Sequence, residues 1–229
     1  DHLREEDWSD AEKNIYPVKL LFDEPWLRYL TQYPKLWLDM PNIWNRRRKE
    51  KFVDLPKSVD TDNYPKYYLR NFHHQTDGYL SDFSASIYDL QVEILFNGSA
   101  DAMRRRIIKP LKEGLMNFSD RKKSSIKIID VATGSGRTLK QLRGAFPKEK
   151  IKGIDLSGSY LKEASRYLSD LDGDLIELIK GNAEELPFAN NSVQAITCVY
   201  LFHELPRTIR EKVLKEFFRV LEPKGILVI

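Results

Sequence analysis

From about residue 124 onward, short apolar runs rich in Ile and Val alternate with segments whose apolar residues follow a helical period. The runs lie at 126–131, 151–156, 175–180, 195–200 and 225–229. Between the second and third runs, apolar residues recur every three or four positions from Tyr160 to Leu171, and Ser157 is the predicted N-cap of this helix. Strands that alternate with helices predict an α/β fold with a doubly wound parallel sheet, covered on both faces.

Two more helices are predicted between the runs. One follows the first run and carries Leu139 and Leu142 three positions apart. The other precedes the last run and has its apolar side between Ile209 and Leu221. Pro223 and Gly225 follow it and predict where it stops.

Residues 1–123 lack this alternation and predict an N-terminal helical or irregular extension that covers the core or its substrate side. The α/β core is predicted at 124–229. The extension contains all four tryptophans. Prolines interrupt its aromatic segment 24–48, which predicts short helices or irregular structure. Helical spacing predicts a helix over 84–96 and another over 100–115, broken near Pro110.

The charge balance gives weak support to a polyanionic partner, because the net charge is only +3. The basic runs 46–51 and 104–106 are interpreted as solvated helix faces or loops. No nucleic-acid partner is therefore expected. No run of about 18 apolar residues is present, so no membrane span is predicted.

The turn after the first run, DVATGSGRTL at 130–139, is the main candidate for a ligand site. Gly134 and Gly136 let a ligand approach the backbone, and a helix N-terminus follows. Asp155 ends the second run and is placed to accept hydrogen bonds from ribose hydroxyls, while Asn182 and Ala183 follow the third. Each feature alone has a packing or capping explanation. Their order predicts one nucleoside-shaped site at the carboxyl edge of the sheet.

The chain resembles the class I S-adenosylmethionine-dependent methyltransferases over about 124–229. The motifs that carry the resemblance are 130–139, with Ala132 in place of the first glycine, 153–164, 181–205 and 216–229. They are most similar to those of the ubiquinone/menaquinone-type C-methyltransferases. The segment HHQTDGYLS at 73–81 and the frequent Lys and Ile residues also resemble methyltransferase-like proteins of cyanobacteria and plastids, which implies cytoplasm or plastid stroma as the compartment.

The resemblance implies an S-adenosyl-L-methionine site and assigns its residues. Those implied to bind the cofactor are Asp130, Ala132, Thr133, Gly134 and Gly136 for the methionine part, Asp155 and Leu156 for the ribose and one adenine face, Asn182, Ala183 and Glu184 for the adenine edge, and Tyr200 near the donor methyl. The residues implied for catalysis are Tyr200, His203 and Glu204, with His203 as a general base. Packing or capping is the alternative for the last two.

Two departures from the family pattern are visible. The subgroup usually has Asp where this chain has Asn182, whose neutral amide oxygen accepts without charge assistance. The family sheet normally has two strands after the fifth, whereas this sequence stops at Ile229 inside the fifth run. The resemblance therefore implies a core that lacks its last two strands and a truncated chain.

The methyl acceptor is expected to be a small molecule that meets the segment 63–81. Its side chains with flat apolar faces and polar tips are Tyr67, Tyr68, Phe72, His73 and Tyr79. They favour an aromatic or quinone-like acceptor, and packing of the extension onto the sheet is the alternative explanation. No metal site is predicted, because adjacent histidines such as His73 and His74, with Asp77 nearby, usually point apart.

Three other functions remain open. A non-catalytic methyltransferase-like protein would use the N-terminal half as a docking surface for a protein partner. An RNA or protein methyltransferase is disfavoured, for RNA, by the near-neutral charge. A nicotinamide-nucleotide site needs G-x-G-x-x-G, and counting from Gly134 places the large Leu139 where the third glycine belongs.

Overall fold

The computed structural model describes residues 2–55, 61–171 and 176–229. The helices within these ranges are α1 His2–Glu12, α2 Trp26–Arg48, α3 Asp82–Leu95, α4 Ala100–Arg105, α5 Ile108–Leu115, α6 Arg137–Ala145, α7 Gly158–Leu168 and α8 Arg207–Val220. The strands are β1 Lys127–Val131, β2 Lys150–Asp155, β3 Glu177–Lys180, β4 Val193–Thr197 and β5 Leu221–Val228. Among the described helices, none combines the length and apolar composition needed to cross a bilayer.

The strands form one parallel sheet in the order β3-β2-β1-β4-β5. Ile128 of β1 pairs with Ile151 of β2 on one side and with Ala195 of β4 on the other. The chain moves outward from β1 in one direction through β3, and then returns to the other side at β4. The carboxyl ends of β1 and β4 therefore flank the crevice where such sheets bind ligands. The predicted α/β doubly wound sheet is confirmed.

The two faces of the sheet are covered by different helices because side chains alternate along each strand. Ile128 packs in a cluster that contains Leu111 of α5 and Leu139 of α6. Ile129 packs on the opposite face with Phe217 of α8. The first cluster also includes Ala11, Tyr16 and Leu20 of the N-terminal region, so the extension shares a hydrophobic core with the sheet. The boundary between residues 123 and 124 stays a prediction.

The predicted helix and strand positions hold with shifted ends. Ser157 caps α7 as predicted, since its side chain accepts from the Tyr160 backbone N–H. The predicted stop signal of the last helix is displaced: α8 already ends at Val220, and Pro223 and Gly225 lie inside β5. The run at 175–180 contributes β3, although Leu175 lies outside the described residues. Around Pro110, the break comes earlier, between α4 and α5.

The expectation of short helices or irregular structure over 24–48 is wrong, because α2 is one 23-residue helix with Pro34 and Pro41 inside it. Each proline frees the carbonyl oxygen four residues before it, which belongs to Leu30 or Trp37. Both of those residues are exposed, so the freed oxygens lie on the side open to water. Tertiary packing holds the other side, where Tyr29 and Leu36 contact Leu90 of α3.

The interpretation of both basic runs as solvated faces is wrong for three arginines. Arg46, Arg104 and Arg105 are each about 5% exposed, and each has hydrogen-bonding partners. Arg105 donates from Nε to Asp7 at 2.9 Å and from Nη2 to the same carboxylate at 2.6 Å. The ion pair of Asp7 with Arg105 thus joins α1 to α4. A second ion pair, of Asp101 with Arg137, joins α4 to α6.

Asp7→Ala should lower the free energy of unfolding by about 3–5 kcal/mol, because it leaves the buried Arg105 guanidinium without its counter-charge. Glu211→Ala, which removes the partner of the exposed Arg207, should cost less than about 1 kcal/mol. Urea unfolding measures both values. Equal losses in the two variants would contradict the structural role of the buried pair.

Candidate active site at the carboxyl edge of the sheet

One large cavity lies at the carboxyl ends of the strands, where the topology predicts a ligand site. It encloses about 1010 Å³, part of it open to solvent. Its floor is the segment after β1, the end of β2, and the segments after β3 and β4. A second wall comes from the N-terminal extension, with Tyr67, Tyr68, Phe72, Tyr79 and Tyr88. The cavity therefore has a polar backbone floor and an aromatic wall.

Most of the predicted site residues line this cavity: Ala132, Thr133, Gly134, Asp155, Leu156, Asn182, Ala183, Tyr200 and Glu204. The others, Asp130, Gly136, Glu184 and His203, do not line it. Among the aromatic segment's predicted residues, His73 also stands outside the lining set. The sequence motifs thus converge on one place, and their individual roles stay proposals.

The β1–α6 turn has a backbone that only small residues suit. Gly134 and Gly136 have φ of +56° and +86°, and Ala132 adopts +60° although it carries a Cβ. A Cβ on Gly136 would come within 3.1 Å of the Ala164 Cβ, so this glycine allows α6 and α7 to pack closely. Gly136 therefore has a packing role here, while Gly134 lies at the cavity.

Asp155 joins this turn to the end of β2. Its Oδ2 accepts the Gly134 N–H at 2.8 Å, and its Oδ1 accepts the Ser157 N–H at 2.8 Å. Burial raises the pKa of the Asp155 carboxyl above its usual range, while these backbone donors lower it. A carboxylate has about four lone-pair sites, so both oxygens retain acceptor capacity towards the cavity.

Asp130 lies beneath the turn rather than in the cavity wall. Its two oxygens accept from the hydroxyls of Thr133 and Thr197, both at 2.7 Å. Burial raises the pKa of this carboxyl to about 6, and the two threonine hydroxyls oppose the shift. A positive group above the turn would favour the ionised form of Asp130.

Glu204 is the acidic group on the acceptor side of the cavity. Its Oε1 lies 2.8 Å from His73 Nε2 and 3.2 Å from His203 Nε2, and it accepts the Tyr79 hydroxyl at 3.0 Å. The hydrogen bond with Glu204 raises the pKa of His73. His73 and His203 are each more than half exposed. The cluster therefore links a lining carboxylate to solvent through two imidazoles.

Tyr200 follows β4 and lines the cavity with a strained backbone, since its φ is +63°. Its ring stacks on Phe96 and lies 5.5 Å from the Arg104 guanidinium carbon. Arg104 also lines the cavity and pairs with Asp101 at 2.7 Å. Sequence reasoning missed this buried cation, although Asp101 three residues earlier on the same helix was a signal for its ion pair.

On the adenine side, Asn182 and Glu184 form a local turn. Asn182 Oδ1 accepts the Glu184 N–H at 3.0 Å, and Glu184 accepts the Tyr67 hydroxyl at 2.7 Å. The Glu184 carboxylate bonds to Tyr67 and is not among the lining residues, and its contact with the adenine edge stays a prediction.

Comparisons with known proteins give matches to the same part of the chain. Residues 128–225 match the family described as "Methyltransferase domain". A demethylmenaquinone methyltransferase of Thermotoga maritima is 35% identical over 150 residues, which cover 66% of this chain and 58% of that protein. A ubiquinone/menaquinone biosynthesis C-methyltransferase of Desulfotalea psychrophila is 28% identical over 144 residues, 63% of this chain and 53% of that protein.

The chain thus spans a little over half the length of these two curated relatives. A solved structure of an S-adenosylmethionine-dependent methyltransferase from Aquifex aeolicus matches over 54% of this chain and 68% of that protein, at 25% identity and with a TM-score of 0.39. That overlap is partial and adds nothing to the sequence matches. The family resemblance inferred from the motifs is confirmed by the domain match and the curated relatives.

Proposed function

We propose that this chain, a class I S-adenosylmethionine-dependent methyltransferase of the ubiquinone/menaquinone type, methylates a flat aromatic or quinone-like small molecule. The observation that carries the proposal is the composition of the cavity. One wall holds Asp155 and the Gly134 turn, and the aromatic wall holds Phe72 and Tyr79. Cofactor and acceptor would meet between these walls, near Tyr200.

The residues on the floor suit an S-adenosylmethionine molecule in one orientation. Asp155 would accept hydrogen bonds from both ribose hydroxyls, and Leu156 would pack on the adenine. Asn182 and Ala183 would lie at the adenine edge. Two buried arginines, Arg104 and Arg137, line the cavity. The Arg104 guanidinium would pair with the methionine carboxylate, because it lies beside Tyr200, where the donor methyl is expected.

Bound S-adenosylmethionine supplies a methyl group that its positive sulfonium has already activated. The chain has to align the acceptor, exclude water and remove a proton. The aromatic wall would stack the acceptor ring. Glu204 would take the proton of a ring hydroxyl, so that a ring carbon attacks the methyl group as the carbon–sulfur bond breaks. The methylated carbon would then lose its hydrogen as a proton, and protonation of the oxygen would restore the aromatic hydroxyl. His73 and His203 would pass the proton taken by Glu204 to solvent.

The experiment that tests the function is release of S-adenosylhomocysteine with a panel of hydroquinones and catechols, followed by mass spectrometry of the product. Turnover that transfers one methyl group to an acceptor ring supports the proposal. A folded chain that binds S-adenosylhomocysteine but produces none with any acceptor would favour the non-catalytic docking protein. The compartment, cytoplasm or plastid stroma, stays a prediction.

Tyr79→Ala should raise the KM for the acceptor by about 10- to 100-fold, because the ring stacks with Phe72 at a 5.0 Å centroid distance and forms part of the cavity wall. Tyr29→Ala removes another buried tyrosine, outside the cavity, and should leave this KM unchanged. Steady-state kinetics of both variants gives the comparison. If Tyr79→Ala leaves acceptor turnover intact, the aromatic wall serves packing alone.

The affinity for S-adenosylmethionine should rise about tenfold between pH 5 and pH 7. Asp130 has a pKa of about 6 in the unliganded chain, and the ammonium of the bound methionine favours its ionised form. Below pH 6 binding must first displace the proton, so affinity falls as pH falls. Calorimetric titration across this range measures the slope, and Asp130→Asn should flatten it. An equal slope in the variant would assign the effect to another group.

A further inference from the structure

Helix α2 presents an apolar stripe to solvent. Its most exposed members are Trp26, Leu27, Leu30, Trp37, Leu38 and Trp44, each 56–82% exposed. At 100° per residue these positions, with Tyr33, Pro34 and Pro41, fall within an arc of about 140°. Between residues 26 and 44 no charged side chain falls in that arc. Monomeric soluble proteins rarely expose a contiguous apolar surface of this kind.

The stripe is fixed outward by the opposite side of the helix. Tyr29 and Leu36 pack on Leu90 of α3, and Asp39 and Arg46 are buried on the same side. Rotating α2 to hide the stripe would expose this packed side and break its hydrogen bonds. The apolar arc is therefore a stable surface of the fold.

Basic side chains follow the apolar stripe at the C-terminal end of α2. Arg47, Arg48, Lys49 and Lys51 are exposed there, with Glu50 as the single acidic residue among them. Tryptophan and tyrosine rings prefer the boundary between lipid headgroups and acyl chains. Basic residues beside such a stripe are attracted to anionic lipids. A helix with bulky apolar residues on one side and adjacent cations has the composition of a helix that lies in a bilayer surface.

The stripe is also connected to the cavity. Arg46 donates to the His74 carbonyl oxygen at 3.0 Å, and the Thr76 hydroxyl donates to Asp39 at 2.7 Å. These bonds attach α2 to the segment that contributes Phe72 and Tyr79 to the aromatic wall. A surface that bound α2 would therefore hold this wall close to it, within reach of a lipid-dissolved acceptor.

We propose that the exposed stripe of α2 docks this chain on an anionic lipid bilayer, with the apolar rings in the headgroup boundary and Arg47, Arg48, Lys49 and Lys51 against the lipid charges. The helix lies on the surface and does not span it. This inference goes beyond methyl transfer and does not depend on it. Vesicle binding with no S-adenosylhomocysteine released would overturn the proposed function alone.

The test is co-sedimentation of the full chain with phosphatidylcholine vesicles, with and without phosphatidylglycerol. Leu27→Gln/Leu30→Gln/Leu38→Gln keeps the tryptophans and uses a residue that suits helices. It should weaken binding to the anionic vesicles by about a hundredfold. Replacing Arg47, Arg48, Lys49 and Lys51 with Gln should weaken it by about tenfold or more, with a reduced salt dependence.

The matched control is Leu95→Gln/Met116→Gln/Phe218→Gln, which removes three equally exposed apolar side chains outside α2. It should bind like the wild type, and circular dichroism checks that each variant is folded. Three results would overturn the proposal. A folded wild type could stay in the supernatant, or the control could lose as much binding as the leucine variant. Light scattering could instead show a wild-type dimer that the leucine variant dissociates, which would make the stripe a contact between two copies.

Discussion

Asp155→Ala should weaken binding of S-adenosylhomocysteine by about a hundredfold or more. The ribose hydroxyls would lose two charge-assisted hydrogen bonds to the carboxylate, each contributing about 1.5–3 kcal/mol. Even the lower figure, doubled, corresponds to more than a hundredfold in affinity. The substitution also removes the acceptor of the Gly134 and Ser157 N–H groups, which loosens the turn that carries the methionine part.

Asp155→Asn separates these two contributions. Its amide oxygen can still accept one backbone N–H, so the turn keeps part of its support, while the charge assistance to the ribose is lost. We expect an intermediate loss of about tenfold in affinity. Isothermal titration calorimetry measures both variants, after thermal unfolding has shown that they are folded. An affinity of Asp155→Ala within threefold of wild type would contradict the ribose role.

Glu204→Gln should lower kcat by about 10²- to 10⁴-fold, the range expected when a positioned general base is removed. The amide keeps the size of the side chain but cannot take a proton at neutral pH. Its cluster with His73, His203 and Tyr79 is the only one among the described residues that joins a lining carboxylate to two imidazoles. The KM for the acceptor should change little, because the aromatic wall stays in place.

Glu184→Gln is the matched control for Glu204→Gln. Glu184 also accepts a tyrosine hydroxyl, from Tyr67, but it does not line the cavity. It should retain nearly full kcat at saturating S-adenosylmethionine, a condition under which the contact expected between Glu184 and the adenine edge does not affect the rate. An equal loss in both variants would show that neither carboxylate acts as the base. The ligand atoms of His73, His203 and Glu204 also lie within 4.8 Å of one another, so a chelator in the assay distinguishes proton transfer from a bound metal ion.

The core could be predicted from the sequence because its signals are local and repeated. The strands are short apolar runs, and the helices after β1, β2 and β4 each have one apolar side, so this alternation predicts the sheet without long-range information. The cavity floor follows from the same logic. Asp155 is the last residue of β2 and Asn182 lies two residues after β3, and the carboxyl ends of parallel strands share one edge.

The N-terminal extension was harder to predict because tertiary contacts decide its structure. Pro34 and Pro41 argued against one long helix, yet the packing of Tyr29 and Leu36 on α3 holds α2 intact. Burial of an arginine run depends on distant carboxylates such as Asp7, 98 residues from Arg105. No periodicity in the sequence encodes a partner at that separation.

The acceptor side of the site has the same limitation. The family resemblance implied His203 and Glu204 together, and the structure keeps them 3.2 Å apart in one cluster. Only Glu204 lines the cavity, whereas the His203 side chain is more than half exposed. His73 joins them from 131 residues away. Its φ of +52° is a conformation that non-glycine residues adopt only in a few per cent of cases, so a histidine in the sequence is not enough to predict it.

The cofactor site is tested most directly by calorimetric titration of the folded wild-type chain with S-adenosylmethionine and S-adenosylhomocysteine, with NADH as the comparator. We expect saturable one-site binding of both sulfur nucleosides and none of NADH. Absence of binding for both, in a chain that circular dichroism shows to be folded, would contradict the cofactor site at Asp155 and leave the non-catalytic docking protein as the better description.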